Sequence, residues 1–324
     1  TERIFDDTVR FVGDRVAAVA AESPGIAKKA VNLIKVEYEA LPVITDVEEA
    51  IKPEAWPIHE GGNIVGTSRA EAGNVDEAFQ ECDYVFEDRY TTQAIHHAAI
   101  EPHVAIADFA PNGKLTVYSP CQNTFAFRVI MSRIFGLSYN RIRMVAPAIG
   151  GAFGGKLEVT VEPVAAVLSQ MTGKPVKVEY NRKESILSTR VRHASVNYVK
   201  TGFMKDGTLK AVDFKVYTNT GAYASSALNV SGAMSHKVFK AYKIDHMRFQ
   251  CQPVYTNTEI AGAMRGYGSP QVYFGWQRQM QKIADFLHMD MADLQMKNMV
   301  RPYFPQTPRQ FQAKGLLKEG AGAH

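Results

Sequence analysis

IGGAFGGKLE, Ile149 to Glu158, is the stretch on which the reading of this chain turns. Gly150, four residues, Gly155 and Lys156 satisfy G-x-x-x-x-G-K, the spacing of a loop that cradles nucleotide phosphates. The next residue of that motif is Ser or Thr, whose hydroxyl holds magnesium. Here it is Leu157, which has no oxygen to offer. No apolar strand ending in Asp supplies the second magnesium ligand. The dinucleotide pattern G-x-G-x-x-G fails too, because Gly150 adjoins Gly151 and Gly154 adjoins Gly155. A tight strand-to-helix turn with no ligand is the bland alternative. It is a costly one, since glycine loses more backbone entropy on folding than any other residue. A third reading is a nest, in which successive backbone N–H groups point into one concavity and hold an anion without magnesium.

A second glycine cluster, GAMRGYGSPQ (Gly262 to Gln271), precedes a long helical stretch. It adds a cation, Arg265, and an aromatic ring, Tyr267, between glycines. Two such loops facing one site could hold an anionic cofactor and set a flat substrate against the Tyr267 ring.

The rest of the chain bounds these readings. Its 324 residues suffice for one large domain or two smaller ones, and 46% apolar residues supply an ordinary core. The net charge of +4 is mild and spread without a basic run, which argues against nucleic acid as a partner. No apolar run approaches the roughly 20 residues that span a bilayer, so no membrane role is expected. The opening TERIFDDTVRF has no signal-peptide pattern, and it begins on Thr1 rather than Met, consistent with processing or truncation. Cys82, Cys121 and Cys251 lie far apart with no C-x-x-C, so no zinc knuckle or cysteine-ligated cluster is expected. They read as reduced thiols of a cytoplasmic protein, each a small core residue.

Local patterns predict the elements. VRFVGDRVAAVAA (9–21) reads as two short strands about Gly13-Asp14, SPGIAKKAVNLI (23–34) as a helix capped by Ser23 with Pro24 in its first turn, and IKVEYEAL (34–41) as a strand. Residues 51–66, with Pro53, Pro57 and three glycines, read as a linker. Further on, a short helix leads into the strand YVFEDRY; LTVYSP and IRMVAP are strands; FAFRVIMSRIFG and VEPVAAVLSQMTG are helices ended by Gly136 and Gly173. SVNYVKTGFM and LKAVDFKVY form a hairpin about Asp206-Gly207, and QRQMQKIADFLHMD and MADLQMKNMV are helices, the second capped by Asp290. His96, His97 and His103 around Glu101 read as a structural polar cluster, His193 as a polar strand edge, and the methionines of 280–299 as core.

Taken in order, GGAFGGK and AMRGYGSPQ resemble the paired signature of the molybdenum hydroxylases, the xanthine dehydrogenase, aldehyde oxidase and nicotinate dehydrogenase family. SPCQNT (119–124) resembles that family's segment carrying a glutamine near the metal. Residues 9–42 resemble the end of its hammerhead-like domain, and TGFMKDGTLKAVDFKVYTNTGAYA its central hairpin. The resemblance implies an α+β fold. Residues 1–50 would be the C-terminal part of a hammerhead-like α/β domain, 51–66 a linker, 67–301 a mixed α+β molybdopterin-binding domain, and 302–324 a tail leading to a missing or separate second half.

It also implies roles. Gly150, Gly151, Ala152, Phe153 and Gly154 would lie against molybdopterin, expected in its cytosine dinucleotide form, on molybdenum bearing oxo and sulfido or selenido ligands. Gln122 would donate to an oxo ligand. Arg265, with Gly266, would sit near the metal and cofactor, and Tyr267 would take the place of a Phe that packs on an aromatic substrate. The implied reaction is hydroxylation of a heteroaromatic C–H with oxygen from water, with aldehyde oxidation or reductive dehydroxylation of an aromatic thioester as family variants. A P-loop nucleotide hydrolase and a non-catalytic scaffold are the alternatives of other classes.

Departures narrow these expectations. Purine-specific relatives carry a Glu directly after G-G-K and a second Arg upstream of the second loop; here Leu157 and Ala233 stand there, and Glu158 is one residue late. Leu157 is similar to the nicotinate-type pattern. The family's catalytic glutamate lies beyond the point matching residue 324, so a second molybdopterin subunit is expected to carry it. Electrons would leave through a [2Fe–2S] subunit and an FAD subunit.

Overall fold

The computed structural model describes residues 2–300; the expected tail at 302–324 lies outside the described residues. Helices α1 (Pro24–Val31) and α2 (Val47–Ala50) come first. They are followed by β1 (Ser68–Ala72), α3 (Val75–Gln80), β2 (Tyr84–Thr92), β3 (Ile95–His96), β4 (Val104–Phe109), β5 (Leu115–Tyr118), α4 (Thr124–Phe135) and β6 (Ile142–Val145). Next are α5 (Glu162–Thr172), β7 (Val176–Glu179), α6 (Arg182–Ser188), β8 (Val191–Arg192), β9 (Ser195–Phe203) and β10 (Leu209–Gly221). The last are α7 (Ala227–Ala241), β11 (His246–Tyr255), β12 (Ala261–Gly262), α8 (Ser269–Leu287) and α9 (Met291–Asn298).

These make a mixed α+β architecture around three sheets. The largest runs β1-β11-β10-β9-β2, with β10 and β11 parallel and the other pairs antiparallel. Alternation sorts its two faces. Val212, Phe214 and Val216 of β10 join Met247, Phe249 and Cys251 of β11 under α7 and α8, where Trp276 stacks between Phe214 and Tyr242. Tyr217 and Val196 face the other way and meet Val47 and Ala50 of α2. A second sheet, β6-β5-β4-β7, packs Leu115, Val117 and Ile142 against Met131 of α4 and Ala165 of α5.

The third sheet, β12-β8-β3, has two-residue strands, with β8 parallel to β12 and antiparallel to β3. It is small, but every strand of it leads into or out of the region around the two glycine loops.

Several expectations hold in detail. Ser23 accepts from Ile26 N–H with Pro24 in the first turn, and Gly136 and Gly173 close α4 and α5 in the left-handed conformation. Asp290 caps α9. The N-terminal strands do not form. Residues 14–21 and 34–41 have no ladder partner among the described residues, although the turn at Gly13 is present. A strand is stable only with a hydrogen-bonded neighbour. The α1 helix likewise buries none of its residues, and Leu33 and Tyr38 are 80% and 66% exposed. Among the methionines, Met280 is core and Met289 and Met291 pack against it, but Met296 and Met299 are exposed. β4, β11 and α7 carry no clear sequence signal; Pro253 interrupts the pattern of β11 and Gly232 that of α7.

Candidate functional site

The first glycine loop leaves β6 and is pinned at both ends by one carboxylate. Glu101 Oε2 accepts from Gly150 N–H at 2.9 Å and from Lys156 Nζ at 2.5 Å, and Glu101 N–H donates to Gly150 O at 3.1 Å. Burial tends to raise the Glu101 carboxyl, but the Lys156 ammonium and the Gly150 amide outweigh it and hold it below its ordinary value. Lys156 is only 3% exposed. It is therefore a strut of the loop, not a phosphate ligand. The α5 helix begins at Glu162, so no helix N-terminus backs Gly155 and Lys156. Both facts oppose the phosphate-loop reading.

Behind the loop stand the histidines. His103 Nε2 meets Gly155 O at 3.0 Å, and His97 bridges Arg190 O at 3.1 Å and Ala263 O at 2.8 Å. His96 bonds Ser185 O at 3.0 Å. No group of three His, Cys, Asp or Glu able to hold a metal occurs among the described residues. Each of the three histidines is bonded to a backbone carbonyl.

The second loop follows β12 and touches the first directly. Arg265 N–H donates to Phe153 O at 2.9 Å. A Cβ on Gly154, at φ +103°, would lie 2.5 Å from Ala263 O, so only glycine lets the two backbones approach this closely. Phe153 and Tyr267 hold positive φ of 53° and 43°, a conformation that non-glycine residues keep only where the surroundings impose it. Lys237 Nζ donates to Gly266 O at 2.6 Å and Arg192 Nη2 to Arg265 O at 2.8 Å. The Tyr267 ring is half-buried and packs on the main core beneath α7 and α8.

Gln122 completes the arrangement from the start of α4. Its N–H donates to Lys156 O at 2.9 Å, and its Oε1 accepts from Gly154 N–H at 3.0 Å. The carboxamide nitrogen thereby faces away from Gly154, on an exposed side chain. Gln122 and the first loop thus meet the second loop through Gly154 and Phe153, which brings the sequence-singled residues of the two loops together, with the Tyr267 ring turned onto the core. Phe153 is 49% exposed, and Arg265 is exposed with no salt bridge among the described residues.

Amide accounting identifies what these loops can bind. Gly150 and Gly154 N–H groups are committed to Glu101 and Gln122. Those of Gly151, Ala152 and Phe153 find no acceptor among the described residues. Unpaired backbone donors in succession, next to an exposed cation, suit an anion with several oxygens. The residues present therefore fit an anionic pterin cofactor. Two concave recesses lie elsewhere, one along β1 and β11 by Arg69 and Arg248, the other between β2 and α8 by Asp88 and Arg278. Arg248 is paired with Glu71, Asp76 and Asp213, and Asp88 with Lys282, while the exposed Arg69 and Arg278 make no salt bridge among the described residues.

Two residues differ from their sequence reading. His193 is not a strand edge: it is fully buried, near the Gly262 backbone without meeting hydrogen-bond geometry, and burial pushes it down to about 4. Arg192 was not singled out, and no sequence signal marks it, because its value depends on the loop 73 residues later that it supports. Glu158 Oε2 accepts from Arg190 Nε at 3.2 Å and from Ser225 Oγ, with its carboxylate against Gly262 at the base of the second loop.

Comparison with known proteins adds the following. The family described as molybdopterin cofactor-binding domain matches residues 58–299, and that described as aldehyde oxidase and xanthine dehydrogenase, a/b hammerhead domain, matches residues 1–42. A xanthine dehydrogenase molybdenum-binding subunit of Escherichia coli is 36% identical over 294 residues, 90% of this chain and 39% of that protein. The nicotinate dehydrogenase large molybdopterin subunit of Eubacterium barkeri is 36% identical over 295 residues, 91% of this chain and 69% of that protein. The solved aldehyde oxidoreductase of Desulfovibrio gigas superposes with a TM-score of 0.84 at 28% identity, over 91% of this chain and 34% of that one. The chain spans 40% and 39% of the length of two further xanthine dehydrogenase-type relatives.

Proposed function

The chain belongs to the molybdenum hydroxylase family of xanthine dehydrogenase, aldehyde oxidase and nicotinate dehydrogenase type, and we propose that it is the molybdopterin-binding subunit, or the front half of one, in a multi-subunit hydroxylase. The observation that carries this is the row of unpaired N–H groups at Gly151, Ala152 and Phe153, beside the exposed Arg265. When bound, molybdopterin supplies the anionic oxygens and the oxidising metal for two-electron chemistry. The chain supplies donors that need no reorganisation. Its three amides hold the anion. Gln122, with Oε1 fixed by Gly154, keeps its NH₂ for an oxygen on the metal. Arg265 offsets negative charge, and Gly266, where a Cβ would meet Pro270 at 2.8 Å, lets the chain turn beside it. Tyr267 limits one side of a flat substrate.

The substrate class we propose is a heteroaromatic ring, nicotinate-like or purine, hydroxylated with oxygen from water. The names of the xanthine and nicotinate dehydrogenase relatives support it, and Leu157 in place of Glu favours a ring other than that of the purine-specific enzymes. An aldehyde is the second reading, favoured by the likeness to aldehyde oxidoreductase. The cytosine dinucleotide form of the pterin, a sulfido or selenido ligand, a second subunit with the catalytic glutamate, and [2Fe–2S] and FAD subunits belong to the same proposal.

Molybdenum and pterin analysis of the purified complex tests it. The wild type should contain both, and Arg265→Ala should lower their content. Gln122→Ala should keep most of the cofactor but lose about 10² to 10³ in kcat, the usual cost of one preorganised donor. An intact complex indifferent to both changes would instead indicate a scaffold.

A further inference from the structure

Resting on the cofactor reading above, we propose that Arg192 is a positioning residue, whose buried guanidinium, with no carboxylate partner among the described residues, supports the Arg265 bend and keeps a fixed positive charge behind the cradle for an anionic cofactor to offset. Arg192 is 8% exposed; Nη2 donates to Arg265 O at 2.8 Å, while Nη1 is buried with no partner among the described residues. No carboxylate approaches it within salt-bridge distance among those residues. The contrast with Arg190, two positions earlier, is direct. Arg190 is 4% exposed and is clasped by Glu2 at 2.7 Å and Glu158 at 3.2 Å.

A buried cation without an anion loses hydration that one hydrogen bond to a carbonyl offsets only in part. Accordingly burial alone acts on Arg192, pushing it below its ordinary value with no acid opposing. Its neighbours add no compensation. His97 and His193 are bases, both pushed down by burial and further by Arg192 itself. Of the acids beside the loops, Glu101 is engaged by Lys156 and Glu158 by Arg190 through Oε2; Glu158 Oε1 has no partner among the described residues and does not come within salt-bridge distance of Arg192. Two hydrogen bonds link the guanidinium to the first loop: Arg192 to Arg265 O, and Arg265 N–H to Phe153 O. The charge is thus tied to the bend that meets the cradle, a fixed arrangement of the kind electrostatic preorganisation needs.

The test uses the complex purified with its natural partners. Pterin and molybdenum per chain are measured for wild type, Arg192→Lys and Arg192→Met, and thermal melting is measured on cofactor-free protein from cells unable to make the pterin. Arg192→Lys should retain most of the cofactor, and Arg192→Met should lose it roughly tenfold or more. Cofactor-free Arg192→Met should melt at or above cofactor-free wild type, because relief of the uncompensated charge outweighs the one hydrogen bond lost. A residue whose main contribution is that hydrogen bond would give the opposite shift. Full retention in Arg192→Met, equal loss in both variants, or a Met variant that melts lower or fails to fold overturns the proposal. Absence of pterin from the wild-type complex sinks the cofactor reading itself, a result distinct from any difference between variants.

Discussion

At Gly154 the two loops are closest, and the residue has no freedom to change. Gly154→Ala places a methyl 2.5 Å from Ala263 O at φ +103°. We expect strain of about 1–3 kcal/mol from the backbone alone, with the loops forced apart. The measurement is a chemical-denaturation curve together with cofactor content, and a variant unchanged in both would contradict the contact. Lys156 makes a second residue-scale case. Lys156→Ala should destabilise by about 1–3 kcal/mol, less than a fully buried pair would, because Glu101 is partly open to solvent. Magnesium-dependent ATP binding should be absent from the wild type already; finding it, and losing it in this variant, would revive the phosphate loop. The two glycine clusters stood out in sequence because so many glycines are unusual for a plain turn, whereas Gln122 and the role of Arg265 were singled out through the family resemblance. Which amides are free was not, since that depends on Glu101 and Gln122 arriving from other segments.

Elements carry the loops, and their stability sets the conditions under which the face persists. His103 and His193 are pushed down to about 4 by burial, from an ordinary 6.5. Between those values the unfolded chain takes a proton on each that the folded chain refuses, so stability falls as pH drops through the window. Glu162 opposes this: burial raises its carboxyl above 4.5, so the stability it contributes is greatest in acid and is lost as pH rises. His103→Gln, which can still donate to Gly155 O, should flatten the acid limb of melting temperature against pH between about 7 and about 4.5. A limb as steep as the wild type's would exclude His103 as its source. In the core, Trp276 stacks on Phe214 and Tyr242 at 5.5 and 5.6 Å. Trp276→Ala should cost about 3–5 kcal/mol, read from equilibrium unfolding. Capped and periodic elements such as α4, α5 and α9 were readable because their signals are local. The strands expected in 9–21 and 34–41 failed because a strand's stability is not local.

At the scale of the molecule, the cradle is an exposed face, and residues 31–41 leave Leu33, Ile34, Val36, Tyr38 and Leu41 uncovered. The chain purified alone should therefore hold little molybdenum and turn over no substrate, and adding its partners should restore both. Stoichiometric molybdenum with full activity in the lone chain would refute the split arrangement. No helix among the described residues is long and apolar enough to cross a membrane. The sequence by itself determined the family, the α+β class and the residues of both glycine loops, because glycine runs, caps and hairpin turns act over a few neighbours. Only the tertiary structure decided that Glu101 and Gln122 consume two of the loop's amides, that Lys156 is a strut, and that Arg192 supports Arg265 O without a carboxylate partner among the described residues. Those outcomes depend on segments tens of residues apart meeting in a low-dielectric interior, where each donor and each charge must find its partner in three dimensions.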